Sequence, residues 1–270
     1  MEPLLQDKTT KLRSILAEMG GCVIGFSGGV DSTLLFAVAA QVLGQRALAV
    51  TATSETYPER ERREAEELAI RIGGRHRVVV SEELDIPEFK HNPRNRCYYC
   101  KKELFGKLRE IADQEGLPHV LDGTNLDDQS DHRPGRQAAA ELGVRSPLEE
   151  AGFSKEDIRA LSRELDLPTW DKPAFACLSS RFPYGTAITR ERVNRVGQAE
   201  EALRELGLRI LRVRYHDNVA RLELGPEEFN LATTTLRDEI VRLIKQAGFT
   251  YVALDLQGYR TGAMNEGTPP

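Results

Sequence analysis

The first two-thirds of the chain alternates short apolar runs with longer stretches whose apolar residues recur every three or four positions. Runs at 22–26, 47–50, 76–80 and 119–122 predict strands, and the periodic stretches at 11–19, 32–43, 58–72, 101–112 and 154–165 predict helices. In 32–43 the stripe is Leu34, Leu35, Val38 and Val42. In 58–72 it is Ala65, Leu68, Ala69 and Ile72, set among charged residues. Ser154 stands at a helix start with Asp157 three residues on, a weaker capping box than Glu or Gln would make. Strands separated by helices predict an α/β domain built on a parallel sheet.

After about Gly185 the pattern changes. A long helix is predicted over 190–206, then two period-two stretches, 209–215 and 219–224, that read as a hairpin around His216, Asp217 and Asn218. A helix over 237–247 and a strand over 251–256 follow. This order predicts a small α+β domain with an antiparallel sheet. The expected division is 1–185 and 186–270.

Composition narrows the classes. With 270 residues, 40% of them hydrophobic, the chain can bury a core and is not of the disordered class. The net charge of −5 argues against a general nucleic-acid binder, which needs a basic footprint. No apolar run approaches the roughly 18 residues of a membrane span, and the first residues have no signal-peptide pattern. A soluble, cytoplasmic protein without membrane or nucleic-acid partners is the expectation. Four cysteines are too few for a disulfide scaffold; clustered cysteines in a reducing compartment suggest metal or redox chemistry.

The strongest motif is Ser27-Gly28-Gly29-Val30-Asp31-Ser32, which follows a predicted strand and opens a helix. That context gathers backbone N–H groups and a positive helix end around one anion. The glycines allow close backbone approach, and Ser27 and Ser32 add hydroxyls. Asp31 suits such a nest only if Mg²⁺ lies between it and the phosphates. There is no Gly-Lys-Ser/Thr, so this is not a Walker A loop. Gly123, Thr124 and Asn125 follow the fourth predicted strand, with Asp127 and Asp128 beyond as either metal ligands or loop acids. Thr51 and Thr53 end the second strand. Carboxyl ends of parallel strands are where ligands bind.

Cys97 and Cys100 form a CxxC pair, a chelate or a redox pair. Cys177 lies far along the chain. Cys22 falls in the first strand and reads as core, and His91 is a weak candidate for a fourth zinc ligand. Three thiolates without a convincing fourth ligand suit a [4Fe–4S] cluster with one open iron. Arg212 and Arg214 share one face of a predicted strand, which pattern alone reads as a solvated face. The charge run 59–67 reads as a solvated helix face.

The loop 27–32 resembles the pyrophosphate (PP) loop of the N-type ATP pyrophosphatases, which include GMP synthetase, NAD synthetase, argininosuccinate synthetase and several tRNA thiolases. That resemblance implies an adenine-nucleotide α-hydrolase-like fold. It also implies ATP and Mg²⁺ as cofactors, with adenylylation of an oxygen and release of pyrophosphate. Gly123, Thr124, Thr51 and Thr53 would border the nucleotide. The whole chain resembles the LarE family, through DGTN (122–125), DHRPG (131–135), SSRFPYG (179–185), RVRYH (212–216) and LDLQGYR (254–260). The resemblance implies ATP-dependent sulfur transfer to pyridinium-3,5-biscarboxylic acid mononucleotide in nickel-pincer nucleotide biosynthesis. It also implies a homo-oligomer supplied by sulfide or another sulfur donor.

Some family members sacrifice the sulfur of a single cysteine, which becomes dehydroalanine. Others hold a [4Fe–4S] cluster on three cysteines. Cys97, Cys100 and Cys177 place this chain with the second kind, and Ala176 stands where the sacrificial cysteine would fall. The resemblance puts Cys177, Asp31, Ser180 and Arg181 at the reacting centre. It turns Arg212 and Arg214 into a site for the substrate phosphate, with Glu200 beside them. The rival readings are a three-cysteine tRNA thiolase, an amidating ligase, and a nucleotide-binding module without chemistry.

Overall fold

Cys22, Val23 and Ile24 are wholly buried because both faces of their strand are covered, which is why the sequence shows a continuous apolar run there rather than alternation. The computed structural model describes residues 3–130, 134–173, 176–260 and 263–265. In chain order its helices and strands are α1 (Pro3–Met19), β1 (Cys22–Gly25), α2 (Val30–Leu43), β2 (Ala47–Thr53), α3 (Glu59–Ile72), β3 (Arg75–Val80), α4 (Pro87–Lys90), α5 (Arg96–Glu115), β4 (His119–Leu121), α6 (Pro134–Glu141), α7 (Pro147–Glu150), α8 (Lys155–Glu164), α9 (Arg190–Glu205), β5 (Leu211–His216), β6 (Val219–Leu224), α10 (Pro226–Thr233), α11 (Arg237–Gln246) and β7 (Tyr251–Leu254). Residues 131–133 of the DHRPG motif lie outside the described residues. No described helix is long and apolar enough to cross a membrane.

Packing divides the chain into two units, one of residues 1–86 and 95–175, the other of 87–94 and 176–270. In the first, four parallel strands run in the order β3-β2-β1-β4. Alternate residues enter two cores. Cys22, Ile24, Ala47 and Ala49 join Leu12, Leu16, Leu35 and Phe36 on one face. Val23, Leu48, Val50 and Val120 join Phe105, Leu108 and Ile111 on the other. The expected α/β parallel architecture is observed. The capping box is complete: Asp157 N–H donates to Ser154 Oγ at 3.2 Å and Ser154 N–H to Asp157 Oδ2 at 2.8 Å.

In the second unit β5 and β6 form the expected hairpin, with Asp217 in the left-handed region (φ 52°). The expectation of a wholly antiparallel sheet is corrected: β7 pairs with β6 in parallel. Two helices, α10 and α11, lie between these strands, and such a crossover brings the chain back in the same direction. The segment 176–185, grouped by pattern with the first domain, makes its contacts in the second unit. Gly185 N–H donates to Asn92 O at 2.9 Å, and Arg181 pairs with Glu200. The short segment 87–94 joins this unit for the same reason. Asn92 is fully buried at φ 54°, and its amide donates to Pro183 O at 2.8 Å.

Ser154→Ala removes the oxygen that caps α8. Urea denaturation is expected to show a loss of about 1 kcal/mol with an unchanged m-value.

Candidate active site

The glycine-rich loop is shaped by its own short bonds. Gly28 sits at φ +65°, and a Cβ there would lie 3.2 Å from Ala65 Cβ, so both the turn and the approach of α3 require glycine. Ser27 Oγ and Ser32 Oγ lie 3.2 Å apart, and Ser32 Oγ donates to Gly29 O at 3.2 Å. No side chain caps the N-terminus of α2 at Gly29. Its first N–H groups are left without a side-chain acceptor, the arrangement that suits an anion. Tyr57 Oη donates to Ser27 O at 2.8 Å, and Lys172 Nζ reaches Gly28 O at 3.3 Å while pairing with Glu61 and Glu64.

Asp31 lies in the first turn of α2 and is held from two sides. Lys155 Nζ donates to both of its carboxylate oxygens, at 2.6 and 2.7 Å, and Asn125 Nδ2 donates to Oδ1 at 3.2 Å. The 122–125 loop fits tightly against the glycine-rich loop: a Cβ on Gly123 would lie 3.1 Å from Ser32 N. Thr124 is turned toward Asp122, its N–H and hydroxyl both donating to that carboxylate. Asp127 accepts the Lys155 N–H at 2.8 Å and Asp128 the Asn125 N–H at 3.1 Å, so both acids have backbone partners.

The Thr51 side chain, expected to border the nucleotide, is bonded within the protein. It is 1% exposed, and its hydroxyl donates to Phe26 O at 2.8 Å beside His76 Nε2 at 2.9 Å. Its side chain supports the start of the loop through the Phe26 carbonyl. Thr53 is half-buried at the end of β2. The loop beyond it is fixed by Glu83, buried, which accepts from Ser54, Thr56 and Ser81.

In the second unit Arg181 is 0% exposed. Its Nε and Nη2 grip Glu200 at 2.8 and 3.0 Å, while Nη1 donates to Ala176 O, Cys177 O and Ser180 Oγ. The guanidinium therefore fixes the turn that carries Cys177. Glu200 also accepts from Arg204 and from Val213 N–H. Burial alone would raise its carboxyl, but Arg181 first, then Arg204 and the backbone donor, pull it down to about 2. Arg214 is buried, donating to Ser180 O at 3.0 Å and to Glu223 at 2.6 Å. The Arg214 half of the arginine face of β5 is thus covered, not solvated. Arg212 is half-buried over the Tyr259 ring, 4.8 Å from its centroid. Burial, then the nearby Arg181, push its guanidinium below the usual arginine range.

Cys97 and Cys100 stand three residues apart in the first two turns of α5, on one side of the helix. Cys97 is exposed, and Cys100 and Cys177 are half-buried; none of the four cysteines is in a disulfide. Burial pushes the Cys22 thiol up to about 12, as befits a core residue. His91 is exposed. Among the described residues no three His, Cys, Asp or Glu side chains are grouped to hold a metal ion. Thiol sulfur is the donor type that an iron–sulfur cluster takes; Cys97 and Cys100 belong to the first unit and Cys177 to the second. Asp31 fits a magnesium ion shared with phosphate oxygens.

Sequence reasoning missed Lys155, Lys172, Tyr57 and Glu83. Lys155 lay in plain view after the Ser154 cap, but nothing in local pattern pairs it with a residue 124 positions away.

A family model described as asparagine synthase matches residues 21–99. The chain is also similar over most of its length to several curated proteins. An uncharacterized protein of Synechocystis sp. is 47% identical over 263 residues, covering 97% of this chain and 98% of that protein. The pyridinium-3,5-bisthiocarboxylic acid mononucleotide synthase of Lactiplantibacillus plantarum is 40% identical over 263 residues, covering 97% and 95%. An uncharacterized protein of Methanocaldococcus jannaschii is 28% identical over 241 residues, covering 88% and 90%.

Glu200→Gln leaves Arg181 buried beside a neutral amide, and is expected to cost about 3 kcal/mol at neutral pH. Because the Glu200 pKa is lowered in the folded state, its stabilisation is full above the ordinary value of 4.5 and is lost as pH falls toward about 2. Acid denaturation curves should show that loss in the wild type and lack it in Glu200→Gln.

Proposed function

The chain belongs to the LarE family, and from that premise we propose that this enzyme converts a carboxylate of pyridinium-3,5-biscarboxylic acid mononucleotide to a thiocarboxylate at the expense of ATP. Two features, each within its own unit, support the reading: an uncapped glycine-rich helix start and a thiol-bearing turn fixed by a buried guanidinium. The first is suited to a polyphosphate and the second to presenting sulfur.

In this reading the loop of Ser27, Gly28, Gly29, Val30 and Ser32 holds the β- and γ-phosphates, and Asp31 holds Mg²⁺. Gly123, Thr124 and Thr53 border the nucleotide, with Thr51 supporting from below. A substrate carboxylate oxygen attacks the α-phosphorus, and the bond to the bridging oxygen breaks to release pyrophosphate. The positive loop stabilises the charge that develops on the leaving group. A sulfur nucleophile then attacks the acyl carbon, and the C–O bond to AMP breaks. Arg212 meets the substrate phosphate, while Arg214 and Glu200 hold the strand and helix that present it. Arg181 and Ser180 keep the Cys177 turn in place.

Cys97, Cys100 and Cys177 would hold a [4Fe–4S] cluster, whose fourth iron supplies a place for a labile sulfide. Anaerobically purified wild type is expected to contain about four irons and four acid-labile sulfides per chain. Cys97→Ser should lose them together with multiple turnover. Iron-free protein that inserts sulfur once while losing about 34 Da, the mass of H₂S, from Cys177 would overturn the cluster and assign the sulfur to that thiol.

A further inference from the structure

Asp31 is already neutralised in this structure. Both its oxygens are on the Lys155 ammonium, at 2.6 and 2.7 Å, and Oδ1 also accepts from Asn125. The pair is only partly sheltered, with the Lys155 side chain 37% exposed and that of Asp31 25%. Magnesium binds carboxylate oxygen at about 2.1 Å and demands near-octahedral geometry. A carboxylate whose two oxygens both hold one ammonium meets such an ion in competition with that ammonium. An ammonium left beside a divalent cation is moreover repelled by it. Lys155 must therefore leave Asp31 when the metal arrives.

Where it goes is limited by its anchor. Lys155 is the first residue of α8, and its backbone N–H is held by Asp127. The helix start is pinned, while the four-carbon stem is free to swing about it. The negative charge that enters with the metal is the polyphosphate, cradled on the loop that carries Asp31. We infer that Lys155 is a cation exchanger for the pyrophosphate loop: it holds Asp31 in the free enzyme, yields it to Mg²⁺, and passes to the phosphates as a pyrophosphate-binding group. This rests on the nucleotide reading of the loop above and adds to it a competition between lysine and metal. Metal alone then binds weakly, because it must displace the ammonium. Metal with nucleotide binds well, because the displaced ammonium gains a phosphate partner. The loop thus discriminates against bare divalent ions.

The test compares wild type, Lys155→Met, Lys155→Gln and Asp31→Asn by two binding measurements, neither of which needs turnover. Mn²⁺ binding without nucleotide is followed by paramagnetic resonance. Binding of the magnesium complex of α,β-methylene-ATP is followed by calorimetry. Both Lys155 variants are expected to bind Mn²⁺ alone at least about threefold more tightly than wild type. They should bind the nucleotide complex about tenfold more weakly. The opposite signs separate this from a general loss of structure, which weakens both. Mn²⁺ affinity unchanged or weakened in both variants, or nucleotide affinity unchanged, overturns the inference. If Asp31→Asn leaves the affinity for the nucleotide complex unaltered, it is the nucleotide reading of the loop that fails.

Discussion

A guanidinium sealed from water needs a counter-charge and acceptors for its donors within reach, and Arg181 is supplied with both. Glu200 from α9 takes two of its nitrogens, and the carbonyls of Ala176 and Cys177 take the third. Removing either partner would leave a charge stranded in the interior, which costs far more than an exposed pair is worth. Helix α9, strand β5 through Val213, and the turn 176–181 are tied to one point. The position of the cysteine follows from that constraint. So does the burial of Arg214, whose guanidinium closes the other side through Ser180 O.

The parallel sheet was legible because a strand covered on both faces must be apolar, and 22–24 and 47–50 are apolar throughout. The loop 27–32 was legible because its glycines and serines do local work. The capping box at Ser154 was legible for the same reason. Less legible were features that depend on distant partners. The direction of β7 is set by the helices before it, not by its own residues. Thr51 looks the same in sequence whether its hydroxyl meets a ligand or the Phe26 carbonyl. The alternation of Arg212 and Arg214 gave their shared face, but not that Ser180 and Glu223 cover half of it. Lys155 was hidden most completely, since its partner is close only after the sheet has formed.

The two units use charge in contrasting ways. Around Arg181 the ions are buried, multiply bonded and fixed. Around Asp31 the pair is partly solvated, and one partner is a flexible lysine on a pinned helix start. In the function proposed above, fixed charge would suit a turn that presents a thiol, and exchangeable charge a loop that receives and releases a polyanion.

The excursion of residues 87–94 into the second unit has a consequence for how the protein can be divided. The chain passes between the units three times, after residues 86, 94 and 175. A fragment beginning at 176 would lack Asn92, and with it the amide donor to the Phe182 and Pro183 carbonyls. A fragment ending at 175 would carry 87–94 with nothing to pack against. No single cut yields two self-sufficient pieces. An insertion, fusion or circular permutation that aims to separate the activities must therefore carry that eight-residue tether across, or rebuild its hydrogen bonds in another way.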